Sequence, residues 1–184
     1  MTESVRLISR IALFAALFYV LSWGTSFLPN VNLGFLVAFT AGLLWGAVPG
    51  MLVGAVGMGI FTFFNPYGPA TLPVSIAQVI GMTVCGLFGW LFRPAIRPMF
   101  TSESGVRMWL WLATAGAVCA IAYFLPVSLI DAWVYQPFWP RLIAGLPFVA
   151  IAFGVNALVF PLLFGVTRLL YVREYVNGRE TNQI

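Results

Sequence analysis

The sequence lacks histidine and lysine altogether, and only 8% of its 184 residues are charged. Most active sites rely on imidazoles, paired carboxylates or clustered metal ligands, and the chain offers none of these sets. Outside the ends of the chain and the segment near residue 103, Asp131 is the one acid. We therefore expect a protein that is not an enzyme and that uses no metal and no cofactor.

Charge is absent over long stretches, whereas apolar residues make up 61% of the chain. No Asp, Glu, Lys, Arg or His occurs in residues 11–92, 108–130 or 142–167. A helix needs about 20 apolar residues to cross a bilayer, so these runs have room for several crossings. The runs are continuous rather than alternating, which favours helices over a transmembrane barrel. The sequence thus predicts an integral membrane protein.

Cysteine is scarce as well, with Cys85 and Cys119 the two examples. Both lie in apolar runs, where a free thiol usually packs as a small hydrophobe. The N-terminal "MTESVRLISRIALFAALFYVLSW" has the charged start and apolar run of a secretory signal. Because the run continues to Leu28 without a small-residue cleavage site, we favour an uncleaved first helix.

Turn signals divide the apolar runs into six predicted helices. The turn signals are "LPNVN" at 28–32, "WGAVPG" at 45–50, "NPYGPATLP" at 65–73 and "LIDAWVYQPFWPR" at 129–141. The predicted fold class is all-α, with residues 1–184 forming one integral membrane domain. The six transmembrane helices are predicted near 9–28, 32–47, 49–64, 73–92, 107–128 and 142–172. The second and third span only about 24 Å, so we expect them either inside the bundle or at a place where the bilayer thins.

Arginine placement predicts the orientation. Eight of the nine arginines fall on one predicted side, namely Arg6, Arg10, Arg93, Arg97, Arg107, Arg168, Arg173 and Arg179. Short cytoplasmic loops carry the excess of basic residues, so both termini are predicted to be cytoplasmic. Asp131 and Arg141 then face outward. The net charge of +4 reflects this topology rather than a nucleic-acid surface.

Glycine recurs at every fourth position of "GLLWGAVPGMLVG", at residues 42, 46, 50 and 54. Such a stripe lets membrane helices approach closely. We expect Gly42 and Gly46 to pack the second helix, Gly50 and Gly54 to pack the third, and "GAVPG" at 46–50 to make the tight cytoplasmic turn between them. A phosphate-binding loop would need Lys and Ser or Thr after its last glycine, and neither follows here.

The wider segment "LGFLVAFTAGLLWGAVPGMLVGAVGMGIFTFF", residues 33–64, resembles the helix hairpin of substrate-binding S components of energy-coupling factor (ECF) transporters. In that family a second helix ending in G-L-L-F/W-G is followed directly by a Gly-rich third helix. "ALFAA" at 12–16 adds Ala12 and Ala16, the Ala-xxx-Ala pattern that those proteins present to their transmembrane partner.

The resemblance implies a multi-pass protein of a prokaryotic plasma membrane that takes up a vitamin-like solute. It also implies partners: a transmembrane coupling subunit and two ATPase subunits. The chain itself has no Walker sequence with which to bind ATP. In S components the solute sits between the outer ends of the helices, under the loops.

Side chains suited to a planar solute gather on the predicted outer side, where apolar walls and a few polar groups would form a pocket. The candidates are Asn30, Asn32, Asn65, Tyr67, Gln78, Asp131, Trp133, Tyr135, Trp139, Arg141 and Asn156. The aromatic residues of 133–139 have an alternative role in an interfacial belt. Gln78 and Asn156 have an alternative role in hydrogen bonds between helices.

The sequence leaves the solute open. Scarce charge argues against a highly charged molecule, and aromatic loops favour flat rings, so thiamine, riboflavin, cobalamin, a nucleobase precursor and haem-like molecules all stay possible. Cys85 would suit cobalt in a corrinoid, as in one solitary cobalamin-binding S component, although ordinary packing is the simpler interpretation. The alternative functions are another small-solute or tetrapyrrole-binding transport protein and a structural or assembly subunit.

Overall fold

The computed structural model describes residues 3–28, 30–100 and 105–177, and helices make up most of this part of the chain. The α-helices are α1 (Glu3–Thr25), α2 (Gly34–Trp45), α3 (Ala47–Phe63), α4 (Leu72–Leu91), α5 (Arg93–Ile96), α6 (Gly105–Val134), α7 (Phe138–Leu162) and α8 (Phe164–Tyr171). A 3₁₀ turn (Arg97–Phe100) follows α5, and a π-helical turn (Val172–Asn177) follows α8. Arg179 lies outside the described residues. The all-α prediction is confirmed for the described part.

Within the described ranges, four helices are long and apolar enough to cross a membrane, namely α1, α4, α6 and α7. α2 and α3 have only 12 and 17 residues, which makes them as short as the sequence indicated. Ten of the twelve α2 residues are buried, including Phe35 in its first turn and Phe39 near its centre. α2 is therefore covered by other helices on nearly every side, as expected for a short apolar helix inside a bundle.

Glycines bring α2, α3 and α4 into backbone contact. A Cβ at Gly42 would lie against the carbonyl of Gly86, and one at Gly86 against the carbonyl of Gly50. Gly54 meets the carbonyl of Met82 in the same way. Backbones this close leave no room for a methyl group, which explains the small residues of the stripe. The predicted packing role of Gly42, Gly50 and Gly54 is confirmed.

Gly46 takes part in the predicted turn but does not pack the second helix. Nothing lies within 4 Å of its Cβ position, and its φ of 114° ends α2. That backbone conformation is open to glycine and costly for other residues. The packing expectation for Gly46 was therefore wrong, because this glycine makes the turn into α3.

The segment predicted as a turn at 129–141 is mostly helical. α6 continues to Val134, six residues beyond the predicted end, and α7 begins at Phe138 instead of 142. With 30 residues α6 is about 45 Å long, more than the roughly 30 Å hydrocarbon core. Pro137 stands immediately before α7, where its missing N–H costs no hydrogen bond.

The predicted sixth helix, 142–172, is two helices instead of one. α7 ends just after Pro161, and α8 begins at Phe164. The break lets the Thr167 hydroxyl meet that of Thr40 in α2, 3.1 Å away and buried. Arg168 Nε donates to the carbonyl of Phe100 (2.9 Å). α8 is thereby attached to the bundle rather than continuing α7 as one straight helix.

Candidate solute-binding site

A cavity of about 390 Å³ lies where the ends of α1 and α3 and the start of α4 meet. The described residues that line it are Ser22, Ser26, Leu28, Asn30, Val31, Asn32, Phe61, Thr62, Asn65, Tyr67, Gly68, Ala70, Gln78 and Phe124. None of these side chains carries a charge at neutral pH. Five of them, Asn30, Asn32, Asn65, Tyr67 and Gln78, were predicted from the sequence, and the structure brings them together.

Asn30 places a buried amide against this cavity with no partner. It adopts a φ of 57°, the left-handed region that asparagine tolerates better than most residues. Its Nδ2 is buried and has no hydrogen-bond partner within the described part of the chain. A buried donor without a partner costs about 1–3 kcal/mol, so a bound acceptor would recover that cost.

The amide of Gln78 is oriented by one neighbour. Thr62 donates its hydroxyl hydrogen to Gln78 Oε1 at 2.6 Å. The Nε2 group is consequently directed away from Thr62, and no described residue accepts a hydrogen bond from it. Gln78 Oε1 accepts this hydrogen bond, whereas the two donor hydrogens of Nε2 have no partner among the described residues around the cavity.

Asn32 is held in the same manner. Its Oδ1 accepts hydrogen bonds from Ser22 Oγ (2.7 Å) and from the backbone N–H of Gly34 (2.8 Å). Its Nδ2 has no partner among the described residues. Ser22 is 1% exposed, so this contact also joins α1 to the loop that precedes α2. A third amide donor therefore remains free beside the cavity.

Asn65 and Tyr67 organise the loop over the cavity. Asn65 Nδ2 donates to the carbonyls of Thr62 and Gly68, and its Oδ1 accepts from the N–H of Tyr67. The Tyr67 hydroxyl donates to the carbonyl of Ser26 at 2.7 Å, which ties the loop to α1. Both side chains use these groups within the protein and so order the loop, whereas the amide nitrogens of Asn30, Asn32 and Gln78 have no partner among the described residues.

Aromatic rings lie against the inner part of the cavity. Phe124 lines it and stacks on Phe35 with ring centroids 5.9 Å apart. Tyr123 meets both rings edge to face, at 5.1 and 4.9 Å. Phe61 adds a further apolar wall. Flat rings and apolar walls with a few directed donors are the usual make-up of a small-molecule site.

Asp131 and Arg141 bind each other rather than the cavity. Arg141 Nε donates to one carboxylate oxygen of Asp131 at 2.6 Å, and Nη2 lies 3.3 Å from the other. The Arg141 guanidinium also lies over the ring of Tyr135, 4.6 Å from its centroid. These residues join the end of α6 to the start of α7, and Asp131 lies about 10 Å beyond Phe124 along α6.

The remaining predicted residues also lie away from the cavity lining. Trp133 and Trp139 are 64% and 69% exposed, the arrangement of an interfacial aromatic belt. Asn156 is 1% exposed, and its Nδ2 donates to the carbonyl of Ala152 within α7. The structure therefore divides the predicted set into one group that converges on a cavity and another that does not.

Sequence reasoning missed several lining residues, namely Ser22, Ser26, Phe61, Thr62 and Phe124. A signal for the first two was present, since serines four residues apart share one face near the end of an apolar helix. Thr62 is likewise a hydroxyl near the end of an apolar helix. Phe124 gave no signal, because a phenylalanine in a membrane helix looks like any other packing residue.

Cys85 lies outside the cavity. Its thiol is fully buried between α4 and α6, and Sγ donates to the carbonyl of Cys119 at 3.4 Å. Among the described residues, no three His, Cys, Asp or Glu side chains come together.

No described residue covers the outer face of α1. Ala12 and Ala16 are both exposed, whereas Phe14, Ala15 and Phe18 are buried on the opposite face. The small residues are therefore not needed for packing within this bundle. A smooth face of this kind suits close approach by another membrane helix.

Long apolar helices and an uncharged cavity together describe an integral membrane protein built around a small-molecule pocket. A family model described as "ECF-type riboflavin transporter, S component" matches residues 2–168. The chain belongs to this family of substrate-binding transporter subunits, which are not enzymes. The comparison with curated proteins and the comparison with solved structures give no match.

Proposed function

We propose that this S component binds riboflavin, or a closely related flavin, in the cavity between α1, α3 and α4. The observation that carries the proposal is the convergence of three free amide donors, those of Asn30, Asn32 and Gln78, on an uncharged space beside stacked aromatic rings. The family description names riboflavin, which supports the same choice.

The chemistry of the flavin fits the donors. An isoalloxazine ring is flat and carries carbonyl oxygens and ring nitrogens that accept hydrogen bonds along one edge. The amides of Asn30 and Gln78 supply donors for such an edge, while Phe124 offers an aromatic face. The hydroxyls of Ser22 and Ser26 donate to the protein and keep oxygen lone pairs available. They suit the hydroxyl hydrogens of a ribityl chain.

The absence of charge among the described lining residues favours riboflavin over charged vitamins. Thiamine is a cation and would require a carboxylate or a strong cation–π site. Flavin mononucleotide carries a phosphate, which would lack an arginine partner in this cavity. Cys85 lies outside the lining, so the cavity offers no thiol to a cobalt or iron centre.

The solute that accompanies the purified protein tests this proposal. We expect mass spectrometry of the small molecules released by denaturing the protein to find riboflavin in stoichiometric amounts. A protein sample prepared with Gln78→Leu serves as the control and should carry much less. A tetrapyrrole, a nucleobase or thiamine in place of the flavin would overturn the proposal.

We further propose that six helices, α1, α2, α3, α4, α6 and α7, cross the membrane and that both termini are cytoplasmic. The burial of α2 supports this, because a short helix enclosed by protein need not match the bilayer thickness. Arg10 pairs with Glu174, and Arg97 lies over the rings of Tyr171 and Tyr175, so arginine-bearing segments meet at one end.

Accessible-cysteine labelling tests the orientation. Gln136→Cys should react with an impermeant reagent from outside the cell, and Val106→Cys only after the membrane is opened. Both positions are exposed in the structure. If both cysteines label from the same side, the six-crossing topology fails. In this topology the solute enters from outside and the protein sits in a prokaryotic plasma membrane.

We propose that Ala12 and Ala16 contact the transmembrane coupling subunit, which transmits work from two ATPase subunits. Replacing both by Trp should abolish uptake and complex formation while solute affinity and melting temperature stay unchanged, because no part of the described bundle covers this face. Ile76→Trp with Ile80→Trp is the matched control, since these residues form an exposed pair on α4. Normal uptake in a stable Ala12/Ala16 double variant would contradict this role.

A further inference from the structure

A second groove, of about 670 Å³, lies at the opposite end of α4 from the solute cavity. It is lined by Trp90, Leu91, Arg93, Pro94, Arg97, Pro98 and Tyr171. Trp90 and Leu91 are the last residues of α4, and Arg93 and Arg97 follow in the next six residues. The groove therefore begins where a membrane-spanning helix ends and continues into a basic segment.

Arg93 has no partner in this groove. Its guanidinium makes no hydrogen bond or ion pair within the described part of the chain. Arg97, in contrast, donates to the carbonyls of Leu43 (3.1 Å) and Leu44 (2.6 Å), which caps the end of α2. Two cations thus share one groove, with the hydrogen-bonding donors of Arg93 all unused.

Carboxylates elsewhere are already engaged. Among the described side chains, Glu174 pairs with Arg10 and Asp131 pairs with Arg141. The pKa of the Arg93 guanidinium is lowered from its ordinary value, first by partial burial and then by the positive charge of Arg97. An anion in the groove would relieve that repulsion and occupy the unused donors of Arg93.

The walls of the groove suit an amphiphile. Trp90 and Leu91 are 43% and 49% exposed, and Tyr171 adds a second ring with a polar end. Tryptophan and tyrosine favour the headgroup level of a bilayer, where one side is apolar and the other wet. A free inorganic anion would use the arginines but leave these apolar walls unoccupied.

We propose that this groove binds an anionic phospholipid, with the headgroup phosphate on Arg93 and an acyl chain along Trp90 and Leu91. Arg97 contributes positive charge, and the planar fork of Arg93 makes paired hydrogen bonds to the phosphate oxygens. This site is separate from the solute cavity, so the proposal stands or fails independently of the flavin.

Native mass spectrometry of the detergent-purified full chain tests the proposal with phosphatidylglycerol and phosphatidylcholine as competing probes. The wild-type protein should retain phosphatidylglycerol preferentially. Arg93→Gln should lower that affinity by about tenfold, the loss expected for a charge-assisted hydrogen-bonded pair. Arg107→Gln is the matched control, because it removes the same charge from an exposed position outside the groove and should leave lipid retention unchanged. Both variants should keep full riboflavin affinity.

Other outcomes would overturn the lipid assignment. Equal retention of both lipids by the wild-type protein would do so without any variant. Displacement of the lipid by millimolar inorganic phosphate would identify a free-anion site instead. If Arg93→Gln retains lipid normally but fails to join the coupling subunit, the groove binds a protein. Arg93→Lys keeps the positive charge but loses the planar guanidinium that makes paired hydrogen bonds, so it should give an intermediate lipid affinity. This variant also tests the proposal if Arg93→Gln does not fold.

Discussion

The solute cavity and the hairpin that joins α6 to α7 contain similar polar and aromatic residues but use them in opposite ways. In the cavity, protein neighbours occupy the oxygens of Asn32 and Gln78 and leave the amide donors free. In the hairpin, Asp131 and Arg141 satisfy each other. A binding site needs polar groups that converge without a partner, and only the first region meets that condition.

Gln78→Leu should have the largest effect on solute affinity. It removes a donor beside the ligand while Thr62 keeps Ser75 as a neighbour at 3.2 Å, so the fold should survive. Loss of one ligand hydrogen bond costs about 1–3 kcal/mol, which raises the dissociation constant for riboflavin by roughly five- to 150-fold. Quenching of riboflavin fluorescence measures it.

The matched control for that change is Gln136→Leu, the same substitution in the hairpin. Gln136 Nε2 donates to the carbonyl of Trp133, and its Oε1 accepts from the N–H of Phe138. This variant loosens a turn and should leave affinity unchanged. Equal losses from the two variants would remove the distinction between the regions.

Asn30→Gly should have a smaller effect, about fivefold at the low end of the same energy range. Glycine tolerates the positive φ at this position, so the substitution removes the amide without straining the backbone. Asn30→Asp sharpens the test, since it keeps the shape of the side chain but replaces the amide donor with a carboxylate oxygen, which would face an acceptor of the flavin. Isothermal titration should show weaker binding in both variants. Unchanged affinity in both would place the flavin edge elsewhere.

Hairpin substitutions should have the smallest effect. Asp131→Asn and Arg141→Gln break an exposed ion pair, which contributes little to stability because solvent screens it. Trp133→Ala removes an outward-facing ring. We expect less than a twofold change in riboflavin affinity for all three, by the same fluorescence titration. A tenfold loss of riboflavin affinity in any of these variants would show that the hairpin is part of the solute site.

Sequence reasoning located the polar loops but not their internal pairing. The residues "LPNVN" and "NPYGPATLP" mark two loops at one end of the bundle, and these loops do meet in the structure. The sequence does not distinguish Asn30, whose amide nitrogen has no partner among the described residues, from Asn65, whose amide nitrogen donates two hydrogen bonds within the loop. Hydrogen-bond partners depend on how helices pack, so this distinction requires the fold.

The hairpin illustrates the same limit for helix ends. Asp131 and the nearby prolines predicted a loop at 129–141, but α6 runs on to Val134. An acid is costly within a membrane helix unless it is paired or placed near the interface, and the pairing of Asp131 with Arg141 meets that need. The partner is ten residues away in sequence, across a turn whose geometry composition does not specify.

Competition between flavins and a cationic vitamin tests the central claim most directly. Riboflavin, flavin mononucleotide and thiamine are titrated into the same purified protein, with riboflavin fluorescence as the readout. A cavity lined by free amide donors and no charge predicts tight binding of riboflavin, at least about tenfold weaker binding of flavin mononucleotide, whose phosphate lacks a cationic partner, and no displacement by thiamine. Tight binding of thiamine, or equal binding of riboflavin and its phosphate, would contradict the account.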